Sequence, residues 1–194
     1  MADKLEAFLV EQGHTEKSVM ATLERACRKN NRKAFYETVP TFVPNLYFQR
    51  GLARLHTVGA EQALQDFSRA LAMFEKLESL PYKSYEELAG TPPSLHATFY
   101  VSYSLLQLRK YQEAFPLFDR LLAHSHVLST DGLLHTLLNY GSALSEAHLW
   151  TQAIEQFNKA LKLAEQEAIP KEHVYEATRL LLEAQLNLAR EELH

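Results

Sequence analysis

One phrase recurs three times in this 194-residue chain: AEQALQDFSRAL, YQEAFPLFDRLL and WTQAIEQFNKAL. Each copy sets Ala, then Phe four residues on, then Ala or Leu three further: Ala63–Phe67–Ala70, Ala114–Phe118–Leu121 and Ala153–Phe157–Ala160. Residues spaced by four and three share one face of an α-helix. A small residue at a fixed place on that face admits a second helix closely, and its recurrence means helices stacked in register. Stacked helices make a surface that holds another molecule rather than a reaction centre.

Around the phrases the apolar pattern predicts paired helices over about 44–78 (broken at Gly59), 94–125 and 131–168, with a capping helix over about 171–192 after Pro170. Pro44 sits near a first turn, where its missing N–H does little harm. Pro116 falls inside a helix, removes one backbone bond and predicts a bend. Residues 79–94, SLPYKSYEELAGTPPS, read as an inserted loop with at most one helical turn near Tyr85–Leu88. Residues 1–40 read as a separate helical segment: helices over 3–12 and 15–29 split by Gly13, then a short helix ended by Pro40. Apolar alternation of period two is missing over any useful length, so the expected class is all-α.

Composition narrows the function classes. With 46% hydrophobic and 23% charged residues the chain can fold as an ordinary soluble domain. A net charge of -4 gives no overall pull toward nucleic acid or anionic lipid. The single cysteine, Cys27, forms no internal disulfide and suits a reducing compartment; on its apolar stripe it reads as an inert buried thiol. Asp3, Glu6 and Glu11 exclude a signal-peptide core, and no run approaches the roughly 18–20 apolar residues that span a bilayer. The expected location is the cytoplasm.

The pairs resemble tetratricopeptide repeats, a family of stacked helical hairpins. In that family a small residue of the first helix stands twelve residues ahead of the signature Ala; here Gly51, Ser102 and Gly141 precede Ala63, Ala114 and Ala153. The aromatic residue three before that Ala appears as Tyr111 and Trp150, with Ala60 in the first copy. Two departures stand out. The signature spacing is 51 and then 39 residues, longer than the family's norm of about 34. Arg50 and Arg54 occupy first-helix sites that are normally apolar and packed, which leaves the first pair's geometry open.

The resemblance implies a right-handed α-solenoid whose first helices line a concave, ligand-holding face. That face would carry Asn45, Phe48, Leu52 and His56, then His96, Phe99, Tyr103, Leu106 and Gln107, then His135, Leu138, Ser142, Ser145 and Glu146. Apolar and aromatic at one end and polar at the other, it suits an amphipathic helix or extended segment of a partner protein. It does not suit the acidic C-terminal tails of heat-shock chaperones: Phe48, Leu52, Phe99 and Tyr103 stand where tail-binding repeats carry Lys, Arg and Asn. The competing reading makes these aromatics core, covered by residues 1–40 or by another subunit. A protein-interaction scaffold is therefore the expected function, with a secretion-type chaperone or adaptor shielding a hydrophobic client segment as the alternative.

The remaining constellations have plainer readings. RACRKNNRK places Arg25, Arg28, Lys29, Arg32 and Lys33 together. It could serve a nucleic-acid-linked regulator, although cations also gather at a helix C-terminus. His124 and His126 read as loop histidines, since no HExxH or CxxC accompanies them; no metal or cofactor is expected. No phosphate loop, GxSxG or paired-carboxylate frame occurs, which argues against an enzyme. NLYFQRG (45–51) is like a protease tag site but lacks the leading Glu and lies within a helix. Val174, Ala177, Leu181, Ala184 and Leu188 give the last helix a stripe for the third hairpin; Leu182, Leu186 and Leu193 widen it and offer a route to a homodimer.

Overall fold

The computed structural model describes residues 42–79, 92–167 and 169–193, with isolated helical positions 17, 18, 21 and 25. Expectations for residues 1–40, Cys27 and most of the 79–94 insertion lie outside the described residues. So does the basic run beyond Arg25, which is helical and exposed. Among the described residues there is no strand. Seven α-helices succeed one another: α1 (Phe42–Thr57), α2 (Ala60–Glu78), α3 (Pro93–Gln107), α4 (Tyr111–Ala123), α5 (Thr130–Glu146), α6 (Trp150–Gln166) and α7 (Lys171–Glu191). The all-α expectation holds, built of hairpins in sequence order. The chain divides into two compact units, Met1–Thr98 and Phe99–His194.

All nine positions of the repeated phrase have 0% exposure: Ala63, Phe67, Ala70, Ala114, Phe118, Leu121, Ala153, Phe157 and Ala160. The reason is visible at the small residues opposite. A Cβ on Gly51 would lie 2.7 Å from Phe67 Cε1, and one on Gly141 would lie 2.4 Å from Phe157 Cε1. Each phenyl ring thus occupies the space a side chain would need, and sets the separation of its hairpin. In the middle copy Ser102 stands in for glycine, is fully buried, and donates its hydroxyl to Phe99 O at 2.8 Å.

In the first unit α1 packs along α2. Arg50 and Arg54 are accounted for by a charge they share. Asp66, 1% exposed, accepts from Arg50 Nε at 2.9 Å, from Arg50 Nη2 at 2.7 Å and from Arg54 Nη1 at 3.0 Å. The fork-like Arg50 contact is the strong, bidentate form of such a pair. Arg50 also lies over the Tyr47 ring, 5.1 Å from its centroid. The Ser94 N–H, at the start of α3, donates to Glu78 Oε1 at 3.0 Å and ties that helix to the end of α2.

In the second unit α4 packs on α5, α5 on α6 and α6 on α7, each element against its successor. Tyr140 of α5 stacks on Phe118 of α4, with centroids 5.2 Å apart and planes 15° apart, and donates its hydroxyl to Asp119 Oδ1 at 2.8 Å. Ser129 caps α5 by accepting from the Gly132 N–H at 3.1 Å. Ala177 and Ala184 are the fully covered side chains of α7, small enough to bring it close to α6.

One helix end falls short of the expected 94–125 pair, and a second is set by the turn after it. Helix α4 stops at Ala123, because the His124 N–H turns back to Leu121 O and the chain enters a 3-10 turn at Ser125–Val127. It runs on through Pro116, which faces solvent. Helix α5 stops at Glu146 because of the turn that follows it. There the His148 N–H donates to Ser145 O and the Leu149 N–H to Leu144 O, with His148 at φ 61. The α3–α4 turn repeats this, Arg109 N–H to Leu106 O and Lys110 N–H to Leu105 O, with Arg109 at φ 58. Both are Schellman closures, which ordinarily place glycine at the left-handed position. The first hairpin closes differently: the Val58 and Gly59 N–H groups both donate to Arg54 O, and Gly59 follows at φ 128 and ψ 173.

Candidate functional site

Helix α5 presents Ser142, Ser145 and Glu146 at spacings of three and one, so the three share its last turn and a half. They line a cavity of about 520 Å³ in the second unit. Its other walls come from the two Schellman turns and from α7: Arg109, Tyr111, His148 and Trp150, then Arg179, Leu180, Glu183, Ala184 and Asn187. The expectation thus named one wall of the cavity. The family pattern assigns ligand contacts to first helices, so it passed over the turns and the cap. A signal was present in the sequence: Tyr111 and Trp150 occupy equivalent places, and Arg109 and His148 each stand five residues before the signature Ala.

Polar groups make up about half of the cavity lining, and two of them are unsatisfied. The Ser145 hydroxyl and the Trp150 indole N–H are buried with no hydrogen-bond partner. Tyr111 Oη donates to Glu146 Oε2 at 3.3 Å, and Arg179 Nη1 to Glu183 Oε2 at 3.3 Å, both long enough to exchange for a ligand. Desolvation first, and then the Glu146 carboxylate, raise the Tyr111 pKa above its ordinary value, so the phenol stays a donor. His148 lies edge-on to Trp150, centroids 5.2 Å apart. The site offers two guanidinium groups, an indole N–H and hydroxyls, with two carboxylates beside them. Ser145 has no base against it, so nothing activates it as a nucleophile.

The other expected groove residues are placed as follows. On α3, Phe99 and Tyr103 are half-buried and stacked, centroids 6.4 Å apart and planes 10° apart. Leu106 is half-buried, and Gln107 and His96 are exposed; desolvation lowers the His96 pKa. On α1, Asn45 and His56 are exposed, Leu52 is half-buried, and Phe48 meets Phe67 edge-on at 5.6 Å. His135 Nδ1 lies 2.9 Å from Asp131 O, and its ring meets that of His173 on α7, centroids 5.4 Å apart. Leu138 belongs to the core: at 5% exposure it turns inward with Leu134 and Leu137 and leaves the set of accessible groove residues. His124 and His126 are exposed, rings 6.4 Å apart. Among the described residues no group of three or more His, Cys, Asp or Glu could hold a metal ion. No helix among them is long and apolar enough to cross a membrane.

Consecutive hairpins with ring-on-glycine packing and a polar cavity walled by first-helix, turn and cap residues define a helical-repeat binding protein. The family model described as Tetratricopeptide repeat matches residues 96–166, which run from α3 to the end of α6, so this stretch carries tetratricopeptide repeats. Such repeats support a protein-interaction scaffold. A solved structure titled MamA MSR-1 C2 is similar over 88% of this chain and 97% of its own, at 15% identity and a TM-score of 0.46. No curated protein matches the chain.

Proposed function

We propose that the second unit binds a peptide segment of a partner protein, with no chemistry of its own. The peptide's backbone and polar side chains enter the cavity at Ser142, Ser145 and Glu146. An apolar or aromatic side chain rests on the Phe99–Tyr103 stack. One observation carries this reading. Arg109 and His148 both hold a left-handed backbone that glycine adopts without steric cost, and both line the cavity. Strained non-glycine residues gather where their side chains are needed. Buried donors without partners, Ser145 Oγ and Trp150 Nε1, point the same way.

The test is selection of 12-residue peptides from a displayed library on the whole chain. Tyr103→Ala and Ser142→Trp should each weaken the selected peptides at least tenfold, whereas Lys162→Ala on exposed α6 surface should not. Peptides that bind Tyr103→Ala and Ser142→Trp as tightly as the parent would remove the reading.

A further inference from the structure

Helix α7 turns Ala177 and Ala184 into the protein, and on its opposite side carries large apolar groups in solvent. Tyr175 is 73% exposed, Leu182 59%, Leu186 52% and, just past the helix end, Leu193 83%. At about 100° per residue these four fall within ~20° of one line along the helix. Their spacings, seven, four and seven, read the same from either end. A stripe with that symmetry is complementary to itself when a second helix runs the opposite way: Tyr175 meets Leu193 of the second copy, and Leu182 meets Leu186.

The rim of the antiparallel pair carries both like and unlike charges: Glu183 comes within ~3 Å along the axis of Glu183 of the second copy. Glu176 comes within ~3 Å along the axis of Arg190 of the second copy, twice by symmetry. Arg179, on the same flank, is already paired with Glu183 of its own chain. In a parallel pairing opposite flanks meet, so Glu176 would face the Thr178 flank of the second copy and the contact with Arg190 would be lost. The other flank carries Thr178 and Ala189, small enough for close approach. Four exposed apolar side chains from each copy, with the stems of the rim residues, reach on the order of 1,200 Å², the lower end of stable interfaces.

We propose that the exposed face of α7 is a two-fold interface between two copies of this chain, the helices antiparallel and centred on residue 184. On α7 the cavity is walled by Arg179, Leu180, Glu183, Ala184 and Asn187, and because Arg179 and Glu183 also flank the stripe, the interface borders the cavity.

Sedimentation equilibrium of the full chain tests the state. At roughly 100 μM a self-association with Kd near 1 μM leaves mostly dimer, so the expected mass is twice 22.2 kDa. Leu182→Glu and Leu186→Glu should each weaken it at least a hundredfold, because each change occurs twice, while leaving helical circular dichroism unchanged at these exposed sites. Register is tested in a Cys27→Ser background. Tyr175→Cys chains mixed with Leu193→Cys chains should form a disulfide-linked pair, and Tyr175→Cys chains alone should not. A monomer at that concentration overturns the proposal, as does dimerisation indifferent to both glutamates, or Tyr175→Cys chains that link to themselves.

Discussion

The first and third hairpins use the same spacer and fill the space around it differently. Gly51 against Phe67 repeats as Gly141 against Phe157, each glycine twelve residues ahead of its signature Ala. Where the first has Arg50, Arg54 and Asp66, the equivalent places in the third hold Tyr140, Leu144 and Gln156. A buried charge cluster and an apolar-aromatic one thus satisfy one frame. The ring-on-glycine contact dictates how close the helices come, and the neighbours need only fill and neutralise the remainder.

The sharpest way to break the equivalence is at Asp66. Asp66→Ala leaves Arg50 buried without its carboxylate and should cost about 3 kcal/mol or more, read by chemical denaturation followed by circular dichroism. Gln156→Met at the equivalent place should instead stabilise by about 1 kcal/mol, because Gln156 Oε1 is buried with no partner. If both changes destabilise alike, the two cores are not filled by different physics.

The spacer itself is tested next. Gly141→Ala should lose about 2 kcal/mol, its Cβ meeting Phe157 at 2.4 Å, and Gly51→Ala less, at 2.7 Å from Phe67. Alanine's better helix propensity returns about 1 kcal/mol in each. Trp150, the one tryptophan in the chain, reports the second unit by fluorescence. A gain in stability at either glycine would mean the ring moves aside freely.

Tyr140 sharpens the contrast with Arg50 through pH. Desolvation, and then the Asp119 hydrogen bond, raise its pKa above the ordinary phenol value. A raised acid favours the folded state below the unfolded pKa, so this contribution is complete up to about pH 10 and is lost as pH rises further. Tyr140→Phe should lose about 1 kcal/mol at pH 7 and decline less steeply above pH 10 than the parent; equal slopes would count against the phenol.

The smallest effect concerns the turns. Arg109→Gly should gain about 0.5–1 kcal/mol by relieving the left-handed arginine. Gly59→Ala, at φ 128, should lose at least as much. Under the peptide-binding proposal Arg109→Gly also weakens the selected peptides, and unchanged affinity would show that the strained arginine serves no ligand.

Much of the fold was legible because its signal is local. Ala63, Phe67 and Ala70 fix which side of α2 is buried, and their copies do the same for α4 and α6. The Asp66 cluster was not legible, because Arg50 and Asp66 meet through the hairpin, sixteen residues apart, and nothing in either helix's periodicity announces the pairing. The cavity was half legible. Ser142, Ser145 and Glu146 follow from the face of one helix, whereas Arg109 and His148 depend on a backbone sign that sequence conveys only when glycine supplies it. Leu138 was misplaced because the buried arc of α5 is wide, with both flanks covered by α4 and α6.

The left-handed pair at 109 and 148 has a practical consequence. Anyone hardening this chain against heat would reach first for glycine at these two places, and would obtain a tougher molecule whose cavity had lost a guanidinium and an imidazole from its rim. Durability and grip are set against each other there by two torsion angles.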